Sequence, residues 1–320
     1  MQAVQEIPSY AAADDLTHRD DGDAYWQESF LFVWHDLASG LGGFWRIGQE
    51  PVVGAANSCF GIFTGDGHRF RSNVTGAPLA PGDRGEREVG LGPELRLDLE
   101  RLAILADFPE LKASLRFEDF FPRLDTHRIV GRQTPSEHAR AHFEVAGRMT
   151  GRVLIGGREI EVDALGYRDK SWGPRRWSGI RSTRWWPAVF GPDLCVHSIV
   201  AVDAAGKTHA GGYVWRDGAA HPIREIDSLA CLEADGITPR SGRLRASLDT
   251  GEALTIDHEP ADGVVLHVRG YTAVESIGRA RWGDRIGMSN FEVATNPSGG
   301  AEPPAVVFGA DNGQGLSRRP

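Results

Sequence analysis

Short runs that alternate apolar with polar residues recur along the chain, each closed by a turn: "SFLFVWHD", "SCFGIF", "AHFEVAGRMTGRVLIG", "REIEVDALGY", "LCVHSIVAVD", "GGYVWRDG", "GVVLHVRGY" and "GMSNFEV". They are rich in Val, Ile, Phe and Trp, and the breaks between them ("GDGH", "IGGR", "DAAGK", "WRDG") carry Gly or Asp. Forty glycines and eighteen prolines leave little room for long helices. A period of two over many short segments predicts a mostly β protein, an antiparallel barrel or sandwich. Only "PELKASLRF" and "TPSEHARAHF" suggest a turn or two of helix. The 320 residues suffice for one large domain or two ordinary ones. Gly173-Pro174 interrupts strand pairing, which sets the expected divisions: a loose tail over 1–22, a first unit over 23–175, a second over 176–295 and a tail over 296–320.

The composition is that of a globular chain, 41% hydrophobic and 25% charged. A net charge of −9 argues against nucleic acid or an anionic membrane as partner. Three scattered cysteines with no CxxC indicate neither a disulfide framework nor a zinc knuckle. The first residues lack a basic start and an apolar core, and no apolar run has membrane-spanning length, so a cytoplasmic setting is expected. "GLGGFWRIG" lacks the setting of a dinucleotide fingerprint, and neither GxSxG nor HExxH occurs. His138 and His142 stand four apart, a spacing suited to a metal on a helix but not on a strand, so no metal is expected.

If Gly156-Gly157 form a two-residue turn, the register of the surrounding hairpin follows. Ile155 faces Arg158, Ala146 faces Tyr167, Glu144 faces Asp169 and His142 faces Ser171. His142, Glu144, Tyr167 and Asp169 then leave one face of the ribbon. Two opposed carboxyls in a sequestered place cannot both ionise, so one is expected to keep a proton at neutral pH. On this reading Asp169 is a general acid, Glu144 its partner, His142 a proton relay and Tyr167 a hydrogen-bond donor. Trp172, Trp177, Trp185 and Trp186, joined by Trp34, are candidate walls of an apolar pocket, with Arg175 or Arg176 for an anionic group. Each has a structural alternative, a salt bridge for the charged residues and core packing for the aromatics.

The segment "HFEVAGRMTGRVLIGGREIEVDALGYRDKSWGPRRW" resembles a motif of the carotenoid 1,2-hydratase-like superfamily, which includes hydroxyneurosporene synthase, kievitone hydratase and Diels–Alderase-like proteins. "ESFLFVWHDLASGLGGFWRIGQEP", "GGYVWRDG" and "RWGDRIGMSNFE" extend the resemblance over about residues 24–293. It implies two packed lipocalin-like β-barrels, a hydrophobic pocket and no cofactor. It also implies an Asp that protonates an alkene with help from a Tyr and an upstream His, roles that fall on Asp169, Tyr167 and His142. One departure is plain: the His that usually follows this Asp is Lys170 here, although strand parity turns residue 170 away from Asp169.

The expected function is therefore a cofactor-independent hydratase, lyase or isomerase acting on a bulky apolar alkene, isoprenoid or polycyclic in type. A pericyclic cyclase on the same scaffold and a non-catalytic lipid or isoprenoid carrier are the alternatives. The expected partner is a hydrophobic small molecule, with no nucleic acid and no integral membrane segment, and a homodimer is compatible with all three readings.

Overall fold

Gly156 and Gly157 take φ of 60° and 75° and close a two-residue turn between the strands Ala141–Ile155 and Arg158–Pro174. Residues without a Cβ enter that region freely, which is why the chain reverses here. Pairing runs unbroken from Ile155 opposite Arg158 to Ala141 opposite Trp172, placing Glu144 opposite Asp169, Ala146 opposite Tyr167 and His142 opposite Ser171. The register expected from the sequence is the register of the fold.

This computed structural model describes residues 9–129 and 139–301. The hairpin lies at the centre of an open antiparallel sheet of twelve strands, with Arg69–Pro78 at one edge and Glu88–Leu91 at the other. A second set of eight strands, from Ile180–Gly191 to Arg285–Thr295, closes into a barrel. The protein is mostly β, as expected, with one closed barrel beside one open sheet. Met149, Val153 and Val162 bury the apolar face of the hairpin against Phe30, Trp45 and Phe60 in the sheet's core. Trp186, Val196, Leu244 and Phe291 fill the barrel. A third cluster crosses between the units and joins Val33 and Tyr167 to Trp185, Tyr213 and Leu266.

The polar face of the hairpin changes its surroundings along its length. Near the turn it carries the exposed ion pairs Arg148–Asp163 and Arg152–Glu161. At the far end the barrel covers it, and Glu144 is 1% exposed. One continuous charge ladder thus passes from water into the junction, where each charge must find a partner.

Three expectations are corrected. "PELKASLRF" contributes to the strand Leu111–Asp119, because its apolar residues 111, 113, 115 and 117 alternate with exposed ones. Residues 141–143 of "TPSEHARAHF" open the hairpin strand, whereas 134–138, His138 among them, lie outside the described residues. The leading segment is tied down from residue 9. Ser9–Tyr10 pairs with Arg123–Asp125, buried Asp15 accepts hydrogen bonds from Arg123 and Arg168, and His18 stacks on Trp172 at 3.8 Å. Asn296 is likewise buried, its Nδ2 donating to the carbonyls of Trp177 and Ile180 at 2.7 and 2.8 Å.

Gly173 has φ of 115°, and a Cβ there would stand 2.5 Å from the Cβ of Arg140 and 2.7 Å from its backbone nitrogen. Gly173→Ala is expected to lower unfolding free energy by about 1–3 kcal/mol, since both the φ and the contact are strained. Urea denaturation of the variant beside wild type measures it.

Candidate active site

The buried end of the hairpin and the barrel enclose a cavity of about 110 Å³. His142, Glu144 and Asp169 enter it from the hairpin, Arg46 from the strand Gly42–Glu50, Arg175 and Trp177 from the crossing segment. Thr183, Trp185, His197, Tyr271 and Glu292 enter from the barrel. The cavity is well below the ~300–1,000 Å³ of pockets that enclose drug-sized ligands. It can hold the reacting part of a substrate, and the remainder of a large one would have to extend through the mouth.

His142 Nε2 is in hydrogen-bond contact with Asp169 Oδ2 and lies 3.3 Å from Glu144 Oε1. The other oxygen of Glu144 accepts the indole N–H of Trp185 at 3.0 Å and stands 3.1 Å from His197 Nε2. Glu144 therefore holds His142 on the hairpin with one oxygen and joins the barrel through the other. Burial alone would push Asp169 up, but His142, followed by Arg175 and Arg46, holds its carboxyl below the ordinary value. Burial alone would push His142 down, but Asp169 and Glu144 raise it. The proton expected on a carboxyl thus sits on the imidazole side of the contact. Asp169, expected to hold that proton, is drawn the other way because a histidine two residues from Glu144 along the same face reaches between the strands.

The donor atoms of His142, Glu144 and Asp169 lie within 4.8 Å of one another, close enough for one small cation to touch all three. In this arrangement the His142–Asp169 hydrogen bond occupies the imidazole Nε2 that such an ion would need as a ligand.

Arg46 is 2% exposed; its Nη2 donates to Gln27 Oε1 at 2.8 Å, while its Nη1 has no hydrogen-bond partner among the described residues. Burial pushes its guanidinium down to about 10. The guanidinium carbons of Arg46 and Arg175 stand 5.5 and 5.1 Å from the ring centre of Trp177. The cavity is therefore cationic on one side, with a buried donor unused.

Residues 11–297 match a family described as a domain of unknown function, DUF7064. The chain belongs to that family. No curated protein matches the sequence. Kievitone hydratase from Nectria haematococca is similar in structure, with a TM-score of 0.63, 9% identity and coverage of 92% of this chain and 95% of that one. CghA gives a TM-score of 0.58 at 12% identity over 91% and 94%. A structure from Nitrosomonas europaea, described as a candidate AttH, gives 0.68 at 13% identity over 92% and 98%. These likenesses span both units, and at such identities they are likenesses of fold. The two packed antiparallel β units implied by the hairpin motif are present, one a closed barrel and the other an open sheet.

Of the residues singled out in the sequence, His142, Glu144, Asp169, Trp177 and Trp185 line the cavity. Tyr167 lies behind it, its hydroxyl bonded to that of Tyr213 at 3.0 Å and its ring parallel to His197. Trp172 faces the other way, among Trp26, Ala141 and Phe143, as parity requires. Trp34 and Trp186 belong to the cores of sheet and barrel. Arg176 is at the surface near Asp23, with its guanidinium over Tyr25, and its neighbour Arg175 is the one that reaches the cavity. Lys170 also points away, buried in an ion pair with Glu28, so the lysine that departs from the hairpin motif takes no place in the cavity.

Arg46, Thr183, His197, Tyr271 and Glu292 are additional. Their signal was a polar residue inside a strand buried on both faces, as in "CVHSIV" and "SNFEVA".

Proposed function

We propose that this protein is a hydratase or dehydratase, or an isomerase of the same chemistry, that moves a proton onto or off a carbon of a double bond. The observation that carries the reading is the His142–Asp169 contact inside a cavity between the two units. The imidazole proton held there is the acid, Asp169 keeps the imidazole charged, and Glu144 and Trp185 fix its position.

The two guanidiniums refine the substrate. A developing carbocation would meet like charge at Arg46 and Arg175, whereas developing negative charge on an oxygen would be stabilised by those guanidiniums. The reading therefore favours a double bond conjugated to a carbonyl over an isolated isoprenoid alkene, with the apolar remainder against Trp177, Trp185 and Leu266. A pericyclic cyclase is the second reading, since it needs pocket shape and one hydrogen-bond donor, which a guanidinium lining the cavity can provide.

Incubation with a panel of α,β-unsaturated ketones and β-hydroxy ketones in D2O separates these readings. Hydration or isomerisation installs deuterium at carbon, above the background measured without protein, and dehydration shows as loss of the elements of water. Cyclisation of a polyene ketone without deuterium would select the cyclase. Saturable tryptophan quenching without turnover would make the protein a carrier.

A further inference from the structure

The His142–Asp169 contact accounts for one proton, but adding water across a double bond requires a second to be taken from the water. Glu144 has both oxygens engaged. The barrel brings a different acid group to the same cavity.

Glu275 and Glu292 are directly opposed on the neighbouring strands Tyr271–Trp282 and Arg285–Thr295, so their side chains leave the same face. They are 0% and 9% exposed, and Glu275 Oε1 has no hydrogen-bond partner among the described residues. Glu292 lines the cavity and accepts hydrogen bonds from the hydroxyls of Thr183 and, at 2.8 Å, Tyr271. Glu275 stands behind it, with Oε2 accepting from Asn290 Nδ2 at 2.6 Å. Two carboxyls this close and this buried cannot both ionise. Two O–H donors on Glu292 favour it as the ionised member and leave the proton with Glu275. Burial and Glu292 hold Glu275 well above the carboxylate range; burial also raises Glu292, against the pull of Thr183, Tyr271 and Arg184. The charges facing the pair are Arg184 from the barrel, Arg175 from the crossing segment and Arg46 from the open sheet.

We propose that Glu292, backed by Glu275 through one shared proton, is the second proton-transfer residue of this cavity. The inference rests on the reaction proposed above. In hydration, the water oxygen bonds to the β-carbon as its proton passes to the Glu292 carboxylate. The π electrons shift toward the carbonyl oxygen at Arg46, and the proton from His142 goes to the α-carbon. The extra proton on the carboxyl pair returns to His142 through solvent. Dehydration runs the same steps backwards, with Glu292 protonating the leaving hydroxyl and His142 taking the α-proton. No oxidant or reductant is needed.

Two measurements test it. Carbon-13 NMR of protein labelled at the glutamate carboxyl carbons should show one protonated carboxyl at neutral pH that disappears in Glu275→Gln; its absence from wild type would overturn the shared proton. Glu292→Gln retains an oxygen for Thr183 and Tyr271, so it should fold. It should lower kcat about a hundredfold with little change in KM. Glu275→Gln should keep more of the turnover but shift its pH profile. Loss of turnover in Asp169→Asn with full turnover in Glu292→Gln would remove this role and leave the main reading standing. A wild-type protein without turnover on the whole panel would overturn both.

Discussion

Asp169→Asn is expected to lower turnover by about a hundredfold to ten-thousandfold while the protein stays folded. Asparagine preserves size and can still bond to His142, but it removes the charge that offsets burial of the imidazole. In wild type His142 is raised above its ordinary value of 6.5, so the acid form persists to higher pH and turnover should fall along an alkaline limb centred above 6.5. Without Asp169, burial becomes the dominant influence and the limb of any residual turnover should move to lower pH. NMR titration of the labelled imidazole reads the same shift without a substrate. The stability linkage has a defined sign. The raised His142 stabilises below its unfolded pKa, and that contribution is lost as pH rises through the folded value. The lowered Asp169 stabilises above its unfolded pKa and loses that contribution as pH falls through its folded value. Wild type should therefore exceed Asp169→Asn in stability most clearly between those two limits. Full turnover in the variant, or an unmoved imidazole titration, would remove His142 and Asp169 as the acid.

The hairpin was legible because a glycine pair fixes a turn and a turn fixes every opposed pair beyond it. His142, Glu144 and Asp169 followed from arithmetic on one local segment, and so did the turning of Lys170 away from Asp169. The protonation of the site was not legible, because it depends on which side chain reaches between the opposed carboxyls. The carboxyl pair proposed to share a proton is Glu275 and Glu292, on two strands whose pairing does not follow from any one local segment. Trp34, Trp172, Trp177, Trp185 and Trp186 were indistinguishable by type, and only Trp177 and Trp185 proved to face the cavity. Their sorting depends on how the barrel docks, through contacts such as Trp185 on Glu144 and Tyr213 on Tyr167, which join residues 41 and 46 apart in sequence. The same holds for Arg46, which comes from a strand far upstream.

The second large effect concerns Lys170, the residue that departs from the motif. Its ammonium is 1% exposed, in contact with Glu28 and 3.9 Å from the ring centre of Phe30. Burial alone would raise Glu28, but Lys170, His18 and Arg84 bring it down to about 2. The two partners are unequally dependent on each other. Glu28→Met leaves a buried ammonium without its counter-charge and should cost about 3–5 kcal/mol in urea unfolding at neutral pH. Lys170→Met leaves Glu28 with Arg84 at 2.8 Å and His18 at 2.9 Å, and should cost clearly less. Burial already lowers Lys170, and loss of Glu28 would lower it further. The cost of Glu28→Met should then shrink as pH rises, because an ammonium that deprotonates no longer needs a partner. Neither side chain reaches the cavity, so turnover by folded Lys170→Met and the His142 titration should both match wild type. A folded Lys170→Met that loses turnover would place residue 170 in the chemistry and would overturn the parity that turns it away from Asp169.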